Sequence, residues 1–95
     1  MIPNKNDANK ALVFAALEEV RAALGNEAPG PDVARALDQC SRLGVAISQF
    51  HAEGLRFAAF TLLRMVHGGG TIFTDPVHSA TRRLKAALEA AGYPH

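Results

Sequence analysis

The sequence predicts a small all-α protein, a bundle of three helices with a long central helix and no significant sheet. Alanine and leucine are abundant and β-branched residues are few, which favours helix over strand. Apolar residues recur at helical spacing in long segments, and stretches rich in glycine and proline separate those segments. With 95 residues, the chain is expected to form a single helical domain, residues 1–95, around one core.

The first helix is expected to begin at Asn6 or Asp7, both good N-caps, and to run to Leu24. Gly25 ends it, because glycine adopts the left-handed cap conformation without a steric penalty. Phe14 points away from the apolar stripe, and we interpret it as packing on a loop. The stripe consists of Val13, Leu17, Val20 and Leu24, with Leu12, Ala16 and Ala23 beside it.

The central segment raises the main question about the fold. Seven of its residues follow one another at intervals of 3, 4, 3, 4, 3 and 4, namely Cys40, Leu43, Ile47, Phe50, Gly54, Phe57 and Thr61. Because a turn between two helices would normally reset this phase, we expect one helix from about Pro31 to His67, with a bend allowed near Gly54. The alternative is four shorter helices with a turn at residues 51–54.

Three consecutive glycines in "HGGGTIFTD", residues 67–75, end this helix because of their backbone entropy. The stretch after them is expected to be extended, with Ile72 and Phe73 on the core. Asp75 as N-cap and Pro76 at the first position open the last helix, and Gly92 closes it. Its stripe consists of Val77, Ala80, Leu84, Ala87, Leu88 and Ala91.

The end of the central helix is apolar on nearly all sides, since eight of the ten residues from 57 to 66 are apolar. Each flanking helix is amphipathic with one stripe and covers one side only. A helix of 37 residues would also be about 55 Å long, whereas a compact monomer would be about 30–35 Å across. We therefore expect a homodimer. The candidate interface residues are Phe57, Phe60, Leu63 and Met65, with Phe14 as a weaker second contact.

Basic residues in the last helix suggest an alternative function. Arg82 and Lys85 share a helix face with His78, whereas Arg83 lies on the opposite flank of the stripe. We interpret the arginines as covering the rim of the packed face with their stems. The alternative is a small nucleic-acid-binding regulator that uses Arg82, Arg83 and Lys85, although a net charge of +1 is far from a strongly basic footprint.

The chain offers little for catalysis, and we expect neither an enzyme nor a cofactor. Cys40 lies on the predicted stripe, where a desolvated thiol is inert. No H-x-x-x-H or C-x-x-C pair occurs, so a metal carrier would need His51 or His67 turned inward. His67 and His78 flank the glycine loop and could come near each other. That loop lacks the G-K-[ST] of a phosphate-binding P-loop.

A single cysteine is typical of a reducing compartment, and the first ten residues lack the apolar core of a signal peptide. Arg56 and Arg64 interrupt the longest apolar run, so we expect no membrane segment. The sequence thus predicts a cytoplasmic, non-catalytic helical module that binds protein or acts as a regulator, as a homodimer.

Overall fold

The computed structural model describes residues 5–49, 51–68 and 72–93, the side chains of residues 5–7 excepted. Over these ranges the chain forms four helices and no strand. They are α1 (Lys5–Gly25), α2 (Pro31–Gln49), α3 (Ala52–His67) and α4 (Asp75–Ala91). The predicted all-α class is confirmed.

The single central helix predicted from Pro31 to His67 is wrong, and the four-helix alternative is right. α2 ends at Gln49 and α3 begins at Ala52, and Gly54 of the expected turn at 51–54 belongs to the first turn of α3. His51 has an extended conformation, with φ −85° and ψ 98°. Its Nδ1 accepts a hydrogen bond of 2.9 Å from the backbone N–H of Gly54, so its side chain caps α3. Phe50 lies outside the described residues.

The break allows α3 to turn about its own axis relative to α2. The stripe predicted for α2 is confirmed, since Cys40, Leu43 and Ile47 are buried. Continuing the same phase into α3 identified the wrong face, because Phe57 is exposed and Thr61 only half-buried. The buried face of α3 consists of Leu55, Ala58, Ala59, Leu62 and Val66.

The two outer helices bury most of the stripe residues that their spacing predicts, whereas Ala87 and Ala91 of α4 are only half-buried. The four main stripe residues of α1 and four stripe residues of α4 are fully or almost fully buried, namely Val13, Leu17, Val20, Leu24, Val77, Ala80, Leu84 and Leu88. Gly92 caps α4 at φ 74°, as expected. Leu12, expected beside the stripe of α1, is instead 65% exposed.

The segment before α4 differs from the prediction in two details. Phe73 is buried on the core, but Ile72 is exposed. Thr74 is the N-cap, one residue before Asp75, and its side chain makes no capping bond. Glu27, in the loop after α1, instead accepts hydrogen bonds from the Thr74 N–H at 2.7 Å and from its hydroxyl at 2.8 Å. This tie fixes the start of α4 beside the end of α1.

Packing between the helices is uneven. α1 packs most extensively against α4 and also against α2, α2 packs against α3, and α3 touches α4 only lightly. An ion pair of 2.8 Å between Arg83 Nε and Glu19 Oε2 joins α4 to α1. The molecule is elongated, with extents of 43 × 23 × 18 Å. Because α3 packs mainly against α2 and only lightly against α4, the side of α3 that faces away from α2 is left uncovered.

Candidate functional site

One straight line of side chains runs along the solvent side of α3. It consists of Glu53, Phe57, Phe60 and Arg64, spaced 4, 3 and 4 residues apart, and we call it the outer face of α3. At 3.6 residues per turn these four positions fall within about 60° of the helix circumference. Phe57 is 70% exposed and Phe60 54% exposed. Two aromatic rings in adjacent turns thus point away from the core.

Other partly apolar side chains border the outer face. Leu63 and Met65, both predicted interface residues, are half-buried on its two sides. Val45 of α2 is 55% exposed, and it lines a shallow groove between α2 and α3 together with Phe57. The exposed apolar surface therefore continues from α3 onto α2.

The two charged residues of the outer face stand at its ends. Glu53 lies in the first turn of α3 and Arg64 in the last turn, which suits the helix dipole. In the residues that the structure describes, neither has an ion-pair partner. Four other helical carboxylates do pair within the chain: Glu18, Glu19, Asp32 and Asp38. The charges at the two ends of the outer face are therefore available to form ion pairs with a second molecule.

Phe14, the weaker interface candidate, lies elsewhere on the molecule. It is half-buried and packs against the core. A Cβ atom added to Gly44 would come within 3.8 Å of its ring, so Phe14 packs over the small residue of α2 and not on a loop. Less of its ring is available to a partner than of Phe57.

The basic residues of α4 are not gathered into one patch. Arg83 forms an ion pair with Glu19 of α1. Arg82 is exposed on the other flank, where it donates a hydrogen bond of 3.3 Å to Ser79 Oγ. Lys85 is exposed as well. The structure thus separates Arg83 from the other two residues of the alternative nucleic-acid site.

His67 and His78 approach each other, as their positions flanking the glycine loop suggested. Their ring centroids are 5.5 Å apart. Partial burial lowers the pKa of His67 below its usual value, and the nearby positive charges of His78, Arg82 and Lys85 lower the pKa further. The end of α3 therefore lies near three basic side chains of α4.

Cys40 is buried, and its burial raises the pKa of the thiol to about 11, although the charge of Arg21 acts in the opposite direction. A thiol in this state is a poor nucleophile.

In residues 5–49, 51–68 and 72–93, no three side chains of His, Cys, Asp or Glu come together as metal ligands would. Among the helices described, none is both long and apolar enough to cross a bilayer.

Comparisons with known proteins identify no relative. No protein-family model matches the chain, and neither curated proteins nor solved structures give a match. The interpretation of the outer face of α3 therefore depends on its own chemistry.

Three exposed residues of this region were not predicted from the sequence to belong to the interface. Val45 lies off the stripe of α2, and nothing in the sequence places it next to α3. Glu53 and Arg64 could have been found, because each stands four residues from a phenylalanine on one helix face. This spacing indicates a binding face only when Phe57 is known to face solvent.

Proposed function

We propose that this protein is a non-catalytic helical module that binds protein through the outer face of α3, and that its partner is a second copy of itself. The observation that supports this most directly is the exposure of Phe57 and Phe60, 70% and 54%, in adjacent turns of one helix. Scattered surface apolar residues are normal, but neighbouring aromatic rings on one face are enriched at protein interfaces.

The chemistry of the rest of the chain agrees with a binding role. The thiol of Cys40 is buried and holds its proton at neutral pH, since its pKa is raised to about 11. A lone buried cysteine also fits a protein of the reducing cytoplasm, and we include that compartment in the proposal. Non-catalytic modules commonly work by presenting one helix face to a partner.

The proposed dimer is expected to be moderate in strength. α3 has 16 residues, which makes it about 24 Å long. We expect one face of a helix of this length to bury less than the roughly 800 Å² per partner of a standard stable interface. We therefore expect dissociation in the micromolar range.

The decisive experiment measures the molar mass by sedimentation equilibrium over a range of protein concentrations. The wild-type protein should change from monomer to dimer as the concentration rises. Phe60→Asp should raise the dimer Kd by about thirtyfold or more, because it places an unpaired charge at the centre of the contact. The monomer should remain folded, since substitutions at exposed positions usually change stability by less than about 0.5 kcal/mol.

A matched control is available on α1. Leu12 is 65% exposed and lies on a different helix from Phe60, so Leu12→Asp adds the same charge to a similar exposed apolar position. It should leave the dimer Kd unchanged. A wild-type protein that remains monomeric up to several hundred micromolar would contradict the proposal, as would equal effects of the two substitutions.

A second candidate function rests on the basic side chains of His78, Arg82 and Lys85, whose charges lower the pKa of His67. Under this alternative the protein is a nucleic-acid-binding regulator, and Arg83 has at most a minor part because it pairs with Glu19. Binding of labelled DNA or RNA, followed by fluorescence anisotropy, should weaken steeply as salt rises. Absence of binding at low salt would exclude it.

A further inference from the structure

The outer face of α3 has a symmetry that the sequence does not reveal until the exposed side of the helix is known. Phe57 and Phe60 are centred on the point between residues 58 and 59. Glu53 and Arg64 are centred on the same point. Reversing the helix end for end therefore exchanges Phe57 with Phe60 and Glu53 with Arg64.

From this we infer that two copies of α3 pack antiparallel about a twofold axis at residues 58–59. In this register Phe57 contacts Phe60 of the other copy, and Glu53 forms an ion pair with the other copy's Arg64. This inference rests on the proposed self-association and specifies its geometry.

Three observations favour a second copy as the occupant of this face. Glu53 and Arg64 carry opposite charges at the two ends of an apolar pair, so an identical antiparallel helix matches both ends at once. Neither residue has an ion-pair partner in the described part of its own chain. The spacing of 4, 3 and 4 residues is that of the a and d positions along the seam of a coiled coil.

The antiparallel arrangement also explains the order of the residues along the seam. In a closed twofold interface, when one residue of the first copy contacts a second residue of the other copy, the same two residues also meet with the copies exchanged. A parallel pairing in register would place Glu53 against Glu53 and Arg64 against Arg64. Like charges facing each other oppose association, so the parallel form is disfavoured.

The test uses charge exchange within the full-length protein. Glu53→Arg alone would oppose arginine to arginine at both ends of the seam, and Arg64→Glu alone would oppose glutamate to glutamate. Each single substitution should raise the dimer Kd roughly tenfold at low salt, because it replaces two attractive pairs with two repulsive ones. The double variant E53R/R64E should return the Kd to within about threefold of the wild type.

The double variant also separates association from folding. Both substitutions place a charge at the unfavourable end of the dipole of α3, so their effects on the stability of the helix should add. Restored dimerisation in the double variant therefore cannot arise from a more stable monomer. Circular dichroism of each variant establishes that the monomers remain helical.

Arg82→Glu serves as the control for net charge. It makes the same change as Arg64→Glu, but at an exposed position on α4. The dimer Kd of Arg82→Glu should equal that of the wild type, which excludes a general effect of protein charge.

The outcomes distinguish the register from the proposed function. If Phe60→Asp abolishes the dimer while the single charge reversals have no effect, the outer face is used but the antiparallel register is wrong. The same holds if the single reversals weaken the dimer and the double variant stays weak. A wild-type protein that is monomeric at all concentrations contradicts both the register and the self-association.

Discussion

Phenylalanine occurs five times in this chain, and the four that the structure describes have different environments. Phe73 is buried, and Phe14 is half-buried over Gly44. Phe57 and Phe60 face solvent although both belong to the most apolar segment of the chain. The difference arises from the helix face on which each ring stands, because Ala58 and Leu62 of the same segment fill the core.

The fold also affects the titration of His67, a residue type whose ordinary pKa lies near neutral pH. Burial and the positive charges of His78, Arg82 and Lys85 lower its pKa in the folded chain. The His67 ring therefore binds a proton more readily in the unfolded chain than in the folded chain, and protonation of this ring favours unfolding. The corresponding part of the free energy of unfolding is fully present at high pH, where the ring is neutral in both states. It is lost as pH falls below the unfolded value of about 6.5, and the loss levels off below the lowered pKa of the folded state.

We therefore expect the Tm of the wild-type protein to decrease between about pH 7 and pH 5 by more than that of His67→Gln. The difference should be small, because His67 is largely exposed and solvent screens its interactions. Calorimetry of the two proteins over this pH range measures it. Identical pH profiles would show that His67 carries no net linkage to folding.

At the scale of elements, the junction between α2 and α3 determines the architecture. His51 ends the preceding segment and caps the next one, since its N–H donates to the Ala46 carbonyl at 3.1 Å while its Nδ1 accepts from Gly54. A Cβ atom at Gly54 would lie 2.8 Å from that ring nitrogen. Glycine at this position therefore leaves room for the cap, a role different from the helix bend that the sequence suggested.

Replacing the capping residue should destabilise the protein. His51→Ala removes the acceptor of the first turn of α3 and should lower the free energy of unfolding by about 1 kcal/mol, typical of a lost N-cap. His51→Asn supplies a different acceptor at the same place and should recover most of the loss. Urea denaturation of both variants tests this, and equal stability of the two would show that the cap contributes nothing.

The hydrogen bonds between Glu27 and Thr74 are a second contact between elements that the local sequence does not predict. These residues are 47 positions apart, yet the Glu27 carboxylate holds both the backbone N–H and the hydroxyl of Thr74. Because the Thr74 side chain does not cap its own helix, the loop after α1 fixes the start of α4. Contacts of this kind depend on how α1 and α4 pack.

The whole molecule is an elongated bundle, 43 Å in its longest dimension, with one core shared by all four helices. Its longest dimension exceeds the 30–35 Å expected for a compact chain, although the central helix is divided. Since α4 covers α3 only lightly, the surface of α3 opposite α2 is the natural place for a partner.

Self-association at that surface should appear in thermal unfolding. A dimer formed only by the folded chain stabilises it by mass action, so the Tm should rise with protein concentration. For a domain of this size about 1 kcal/mol shifts Tm by about 4–8 °C, and a rise of several degrees is expected between micromolar and near-millimolar protein. Phe60→Asp should show a Tm independent of concentration, and a similarly flat wild-type profile would contradict the dimer.

The sequence by itself determined the helical class, the buried stripes of α1 and α4, and the stop at Gly92. These features depend on residues three and four positions apart and on backbone preferences of single residues, which are local properties. It also indicated an apolar excess around Phe57–Val66, without saying which side of the helix would stay exposed.

Tertiary structure alone decided that α2 ends at Gln49 and α3 begins at Ala52, and with this the rotation of α3. An unbroken 3, 4 spacing fits one helix or two equally well, because the periodicity does not record whether the axis continues. The packing of Leu55, Ala58 and Leu62 on the core selected the face that turns inward. Phe57, Phe60 and their two flanking charges were left outside as a consequence, since a helix can bury only the side that its neighbours cover.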